Sequence, residues 1–164
     1  MIAQVRAQHG AAGRGARVLL AQCSATMKTL DPLYTAKQWL SRWKVAGMSP
    51  ADAARRLLAD AGGEADADDS TAHALEALLG GGGGGGGGAE QLTNALVTVL
   101  LRLARSGRPL MLCVEDAEHL DSGSLEVLSA LLAELSDSAL FVLVAVRSSQ
   151  GVTDVVMKRW LAGP

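Results

Sequence analysis

Leu110-Met111-Leu112-Cys113-Val114-Glu115-Asp116 is the stretch that decides the fold, because five apolar residues run directly into two adjacent carboxylates. An uninterrupted apolar run that follows Arg108-Pro109 is typical of a parallel strand that is covered on both faces. Successive side chains of a strand point to opposite faces, so Glu115 and Asp116 cannot both enter one pocket. If the strand ends there, one carboxylate can face a Mg²⁺ ion and the other an attacking water, at the edge where α/β proteins bind ligands. The alternative is a core strand that ends in a solvated acidic turn.

A second apolar run strengthens the first interpretation. It extends from Leu140 to Val146 and ends in Arg147, while Asp121 precedes a periodic apolar segment between the two runs. This arrangement resembles the STAND branch of the AAA-like P-loop ATPases. It is most similar to the ATPase modules attached to class III nucleotide cyclases and found in large transcriptional regulators.

The resemblance is carried by a pattern of acidic, small and apolar positions. In the family it is roughly E-D-A-H-W-x-D-P-x-S-L-E-L-L, followed by an apolar strand that ends in Arg. The matching positions are Glu115, Asp116, Ala117, Asp121, Ser124, Leu125, Glu126 and Leu128. The departures are Glu118 and His119, which stand where the family usually has His-Trp, and Ser122, which replaces Pro. The segment from Ala16 to Ser24 also resembles the family's second strand.

The resemblance assigns roles to three residues, because the acidic pair is similar to the end of a Walker B strand. It implies that Glu115 holds Mg²⁺, that Asp116 orients the attacking water, and that Arg147 senses the γ-phosphate of ATP. The two carboxylates could exchange roles, since Glu is one methylene longer than the usual Asp. For Arg147 the alternative is an ordinary Arg at the end of a strand.

The sequence contains no G-x-x-x-x-G-K-[ST] motif, the loop whose N–H groups and Lys cradle phosphates. The resemblance places the P-loop strand upstream of Met1, with residues 1–9 as the end of the helix that follows it. Residues 1–164 are therefore predicted to form a partial ATPase domain. Because the two carboxylates repel phosphates, we expect weak or no ATP binding by this chain alone. ATP and Mg²⁺ are the cofactors expected of an intact parent protein.

The predicted fold class is α/β: a partial P-loop NTPase-like three-layer fold, with a short parallel sheet flanked by helices and a helical insertion. The first strand is predicted at Val18–Cys23. The glycine run 80–88 is predicted to be a flexible linker, because Ala89-Glu90 follow it instead of Lys-Ser or Lys-Thr. Helix starts are predicted at Asp31-Pro32, Ser49-Pro50, Ser70, Asp121 or Ser122, and Thr153.

The strand order implied by the resemblance puts the P-loop strand beside the run Leu140 to Val146. Without that strand the run becomes an open apolar edge, which an output domain or a partner protein would cover. The alternative function is accordingly a degenerate, non-catalytic regulatory or protein-interaction module that binds through this edge.

Composition limits the class of protein. A chain of 164 residues with 49% hydrophobic and 20% charged residues is globular and of single-domain size. A formal charge of -2 gives no electrostatic footprint for nucleic acid or an anionic membrane. Two cysteines in apolar runs favour reduced thiols, and no apolar run approaches a membrane span. We therefore predict a soluble, cytoplasmic protein without nucleic-acid or membrane partners.

Overall fold

The computed structural model describes residues 15–62, 69–80, 88–134 and 138–147. Three predictions given above lie wholly or partly outside these residues: the helix end at residues 1–9, positions 81–87 of the glycine run, and the helix at Thr153. Among the helices in the described ranges, none has the length and apolar character that crossing a bilayer requires.

Three strands and six α-helices are described. The strands are β1 (Arg17–Gln22), β2 (Leu110–Glu115) and β3 (Leu140–Val144). The helices are α1 (Met27–Leu30), α2 (Tyr34–Leu40), α3 (Pro50–Asp60), α4 (Asp69–Gly80), α5 (Ala89–Arg105) and α6 (Ser122–Ala133), with short 3₁₀ turns at Ser41–Trp43 and Ala117–His119. Five of the six helices lie between the first two strands, which confirms the predicted helical insertion.

The strands form one parallel sheet in the order β1-β2-β3. In the register Gln22 lies opposite Glu115, and Met111 lies opposite Phe141. Parallel neighbours require crossover connections, and the helices between the strands supply them. The predicted fold class, α/β with a short parallel sheet flanked by helices, is confirmed.

The two faces of the sheet differ in burial. One face carries Leu19 and Leu112, which are 2% and 0% exposed, together with the partly buried Val142. The opposite face carries Phe141 and Leu143 on β3, which are 59% and 44% exposed. The strand β2 is buried along most of its length, whereas β3 is only partly buried on one face and is exposed on the other.

The core contains two tryptophans and two thiols, and the thiols are free, as the sequence predicts. Trp39 and Trp43 are each 1% exposed. Cys23 and Cys113 are free, buried thiols. Burial, the largest cause, raises the pKa of Cys23 to about 11, so this thiol is protonated at neutral pH.

Several predicted helix boundaries and faces are wrong in detail. Asp31 does not begin a helix: its carboxylate accepts the N–H of Leu33 in a turn, and α2 begins at Tyr34. Ser70 is not a cap, because α4 already begins at Asp69. Gly80 is the last residue of α4 and not part of a linker. The cap at Ser49 is confirmed, since its side chain accepts the N–H of Asp52 at 3.1 Å.

Helical spacing in the sequence predicts a buried stripe of Leu125, Leu128, Leu132 and Leu135 on α6. Leu135 lies outside the described residues, and the buried face differs in part from the rest of this stripe. The buried residues are Gly123, Ser124, Val127, Leu128 and Leu131, whereas Leu125 and Leu132 are half-buried. The helix is apolar on more than one side, so its pattern does not define a single face. The small polar Ser124 is buried because its hydroxyl accepts the N–H of Ala36 at 2.8 Å.

Candidate functional site

The acidic pair lies where β2 ends, at the carboxyl edge of the sheet. Glu115 is the last residue of the strand, and Asp116 follows it with φ 54° and ψ 43°. This left-handed conformation is uncommon for any residue except Gly, although Asp tolerates it better than most. The strand alternation is therefore broken between the two carboxylates, and both are half-buried at the edge. Such strain recurs at functional sites.

Both oxygens of Asp116 are engaged. The Gln22 Nε2 amide donates to Oδ2 at 3.0 Å, and the Arg147 Nε donates to Oδ1 at 2.8 Å. These two hydrogen bonds, first that from Gln22 and then that from Arg147, lower the pKa of Asp116, so its carboxylate is ionised at neutral pH. The structure thus brings together two of the three residues to which the resemblance gave roles.

Gln22 is in turn fixed by Gln38 of helix α2. The Gln38 amide donates to the Gln22 carbonyl at 2.7 Å, and its Oε1 accepts the Gln22 N–H at 3.1 Å. The end of β1 would otherwise leave these main-chain groups without a strand partner. The helical insertion therefore supports the residue that contacts Asp116. Neither glutamine was singled out from the sequence, where only a polar residue ending an apolar strand marks Gln22.

Arg147 is attached to the acidic edge through its main chain as well. Its N–H donates to Glu118 Oε2 at 3.3 Å, and its Nε lies 4.0 Å from Glu118 Oε1. Just before it, the Ala145 N–H donates to Val114 O at 2.8 Å and the Ala145 carbonyl accepts the Ala117 N–H at 3.0 Å. The segment after β3 is thus joined to the turn after β2, and this brings Arg147 to Asp116. From the sequence, Glu118 was noted only as a departure from the family pattern and was given no role.

Glu115 differs from Asp116 in its surroundings. Its carbonyl accepts the Cys23 N–H at 2.9 Å, but within the described ranges its carboxylate makes no hydrogen bond or ion pair. A half-buried carboxylate without a protein partner fits a Mg²⁺ ligand, since Mg²⁺ is commonly held by one or two carboxylates plus substrate phosphates. The phosphate half of such a site is not matched: the described carboxyl edge offers the Arg147 guanidinium, and the sequence has no P-loop Lys.

Asp121 organises the turn that follows the acidic pair. Its side chain is the N-cap of α6, accepting the Ser124 N–H at 2.8 Å, and it also accepts the Thr35 N–H of α2 at 3.0 Å. Asp121 is 1% exposed, so these bonds are formed away from water. One carboxylate therefore begins α6 and docks α2 against it, which fixes the frame behind the acidic edge.

A polar cavity of about 380 Å³ lies elsewhere, between α4 and α5. It is lined by Ser70, Thr71, Gly88, Glu90, Gln91, Asn94, Ala95 and Thr98, and none of the candidate site residues contributes to it. In the described part of the chain no three His, Cys, Asp or Glu side chains gather as a metal-binding group.

Comparison with known families gives one match. The model of a family described as an AAA ATPase domain matches residues 4–144, which include the acidic pair and end three residues before Arg147. No curated protein matches the chain. No solved structure matches it.

Proposed function

Because the chain belongs to the AAA ATPase domain family, we propose that it is part of a STAND-type ATPase module that acts in signal transduction. Proteins of that family generally bind ATP together with Mg²⁺. In the proposed parent protein the module binds ATP, hydrolyses it slowly and switches an attached output domain, as in modules joined to nucleotide cyclases. The observation that carries the proposal is the pairing of Asp116 with Arg147 at 2.8 Å at the carboxyl edge of the sheet.

In this proposal β2 is the Walker B strand and β3 the sensor strand. The free carboxylate of Glu115 supports its role as the Mg²⁺ ligand, because both oxygens of Asp116 are already engaged. Asp116 is ionised and oriented by Gln22, as a residue that accepts a proton from water must be. Arg147 is 77% exposed, so a phosphate could reach its guanidinium in exchange for the contact with Asp116. The bound Mg²⁺ would supply charge neutralisation of the phosphates.

The domain is proposed to be partial, with the P-loop supplied by an upstream segment of the parent. A nucleotide triphosphate is held mainly by the N–H groups and the Lys of that loop. This chain offers Glu115 and Asp116 to the phosphates, and like charges repel. Binding of ATP by the chain alone should therefore be weak. The glycine run is proposed to be a linker without chemical function.

A titration with Mg·ATP tests this proposal. Calorimetry should show binding by a form extended upstream through the P-loop, and little or none by residues 1–164. The double variant Glu115→Gln/Asp116→Asn, which keeps the shapes of both side chains, is the control and should lose the binding of the extended form. Micromolar binding by residues 1–164 that the double variant abolishes would contradict the argument from the P-loop. A parent gene that encodes no P-loop upstream would contradict the function itself.

The outer edge of β3 is proposed to be covered in the parent. The bonds from Leu110 N to Ala139 O and from Ala145 N to Val114 O, both 2.8 Å, show that odd-numbered positions of β3 face β2. The alternation of a parallel ladder therefore directs the N–H and C=O groups of Leu140, Val142 and Val144 outward, where no described strand pairs with them. Phe141 and Leu143 are exposed beside this edge. The edge is therefore suited to pair with a further strand, supplied by the parent or its output domain.

Self-association in solution tests whether this edge pairs with a strand of another molecule. In sedimentation velocity the chain should associate with rising concentration, and Leu143→Lys should weaken that association about tenfold, because it replaces roughly 1.5 kcal/mol of apolar burial by a charge. The matched control is Leu30→Lys, which alters an apolar side chain that is 70% exposed on α1 and should have no effect. A well-folded chain that stays monomeric at all concentrations would contradict such pairing.

A further inference from the structure

Glu118 departs from its family pattern next to the acidic pair, yet its side chain is only 9% exposed. Its Oε2 accepts the N–H of Arg147 at 3.3 Å, and its Oε1 lies 4.0 Å from the Arg147 Nε. The same Nε donates to Asp116 at 2.8 Å. Two carboxylates therefore hold Arg147. Glu118 contacts both its main-chain N–H and its guanidinium, whereas Asp116 contacts its guanidinium alone.

We propose that Glu118 is a positioning residue that fixes Arg147 so that its guanidinium rests on Asp116. The consequence for ATP turnover rests on the proposed function, whereas the positioning itself rests on the geometry alone. The cation that would meet the terminal phosphate is thus kept on the carboxylate that would orient the water.

The need for such a residue follows from the exposure of Arg147. A long, exposed side chain loses rotamer freedom when it is held in one geometry, so an exposed ion pair by itself contributes little. Glu118 reduces this loss, because its bond to the Arg147 N–H fixes the backbone from which the side chain extends. Its charge adds to that of Asp116, and hydrogen bonds to ionised groups are the stronger ones.

The same arrangement opposes nucleotide capture. A terminal phosphate must draw Arg147 away from two carboxylates instead of one, and Glu118 remains as a nearby negative charge. The His that the family usually has at this position would impose neither cost when neutral. Glu118 therefore favours the pairing of Arg147 with Asp116 over a contact with phosphate, and a variant without its charge should bind Mg·ATP at lower concentration once the P-loop is present.

The exchange of the Arg147 Nε–H with solvent tests the positioning directly. In ¹⁵N-labelled residues 1–164, with the resonance identified by its loss in Arg147→Lys, Glu118→Ala should raise the exchange rate roughly threefold to tenfold, the equivalent of one net hydrogen bond. Glu118→Gln should raise it less, because its amide oxygen still accepts the Arg147 N–H. The matched control is Glu126→Ala, at an exposed site on α6, which should leave the rate unchanged.

An unchanged rate in Glu118→Ala, with the backbone amide spectrum intact, would overturn the proposal. If Glu118→Ala does not fold, Glu118→Gln decides: it folds with the same shape, and a rate equal to that of the unaltered chain would overturn the proposal just as well. The outcome is separable from the proposed function. A raised exchange rate in a protein whose extended form never binds Mg·ATP would uphold the positioning and contradict the ATPase.

Discussion

Asp116→Asn should lower the kcat for ATP hydrolysis by about 10²- to 10⁴-fold in a form that carries the P-loop, with little change in KM. The substitution removes the only charge through which this residue can accept a proton from water. It keeps the shape of the side chain and suits the backbone, because Asn also tolerates the left-handed conformation that Asp116 adopts at φ 54°. Steady-state release of phosphate at saturating Mg·ATP is the measurement.

Two further variants separate chemistry from structure in this experiment. Glu126→Gln removes a carboxylate of the same motif that is exposed on α6, and it should leave kcat unchanged. Glu115→Gln should raise KM for Mg·ATP at limiting Mg²⁺ more than Asp116→Asn does, if Glu115 is the metal ligand. An Asp116→Asn protein that hydrolyses ATP at the original rate would remove Asp116 from the chemistry, and the reverse pattern of the two variants would exchange their roles.

The part of the site that sequence could predict is the part carried by strands. An apolar run that is followed by a charged residue indicates the position of a strand and the residues at its carboxyl end. The strands β2 and β3 both lie in such runs. The meeting of Asp116 with Arg147 is a consequence of parallel pairing, since both follow strands that end at the same edge. The sequence placed each residue after its strand, but the contact between them was not predicted.

What could not be predicted depends on register and backbone conformation at single residues. Gln22 contacts Asp116 because it lies opposite Glu115, and no periodicity in β1 distinguishes it from a solvated strand end. Gln38 is one polar residue on a helix whose docking depends on Asp121 and Ser124, far along the chain. The left-handed backbone of Asp116 has no sequence signal beyond the tolerance of Asp for that region. Long-range polar contacts of this kind leave no local pattern to read.

Gly123→Ala should destabilise the fold by about 2 kcal/mol, because there is no room for a methyl group on the first turn of α6. A Cβ at this position would lie 2.3 Å from the Pro32 carbonyl oxygen and 3.0 Å from Leu33 Cδ2. The nearer neighbour is a backbone atom, so it cannot rotate away, and either α6 or the turn before α2 must move. The gain in helix propensity from Gly to Ala, at most about 1 kcal/mol, opposes this loss but is smaller.

The close approach at Gly123 also supports the candidate site. It allows the first turn of α6 to lie against the turn before α2, and only in that position does Asp121 accept both the Ser124 and the Thr35 N–H groups. Urea unfolding of Gly123→Ala gives the free energy of unfolding. The control is Gly80→Ala at the end of α4, where the nearest atoms to the new methyl group belong to the Pro50 side chain at 3.6 Å, so the free energy of unfolding should not fall by more than about 0.5 kcal/mol. An equal free energy for both variants would mean that α6 and α2 shift apart at no cost, and the Gln38–Gln22 contacts would then not be held by this packing.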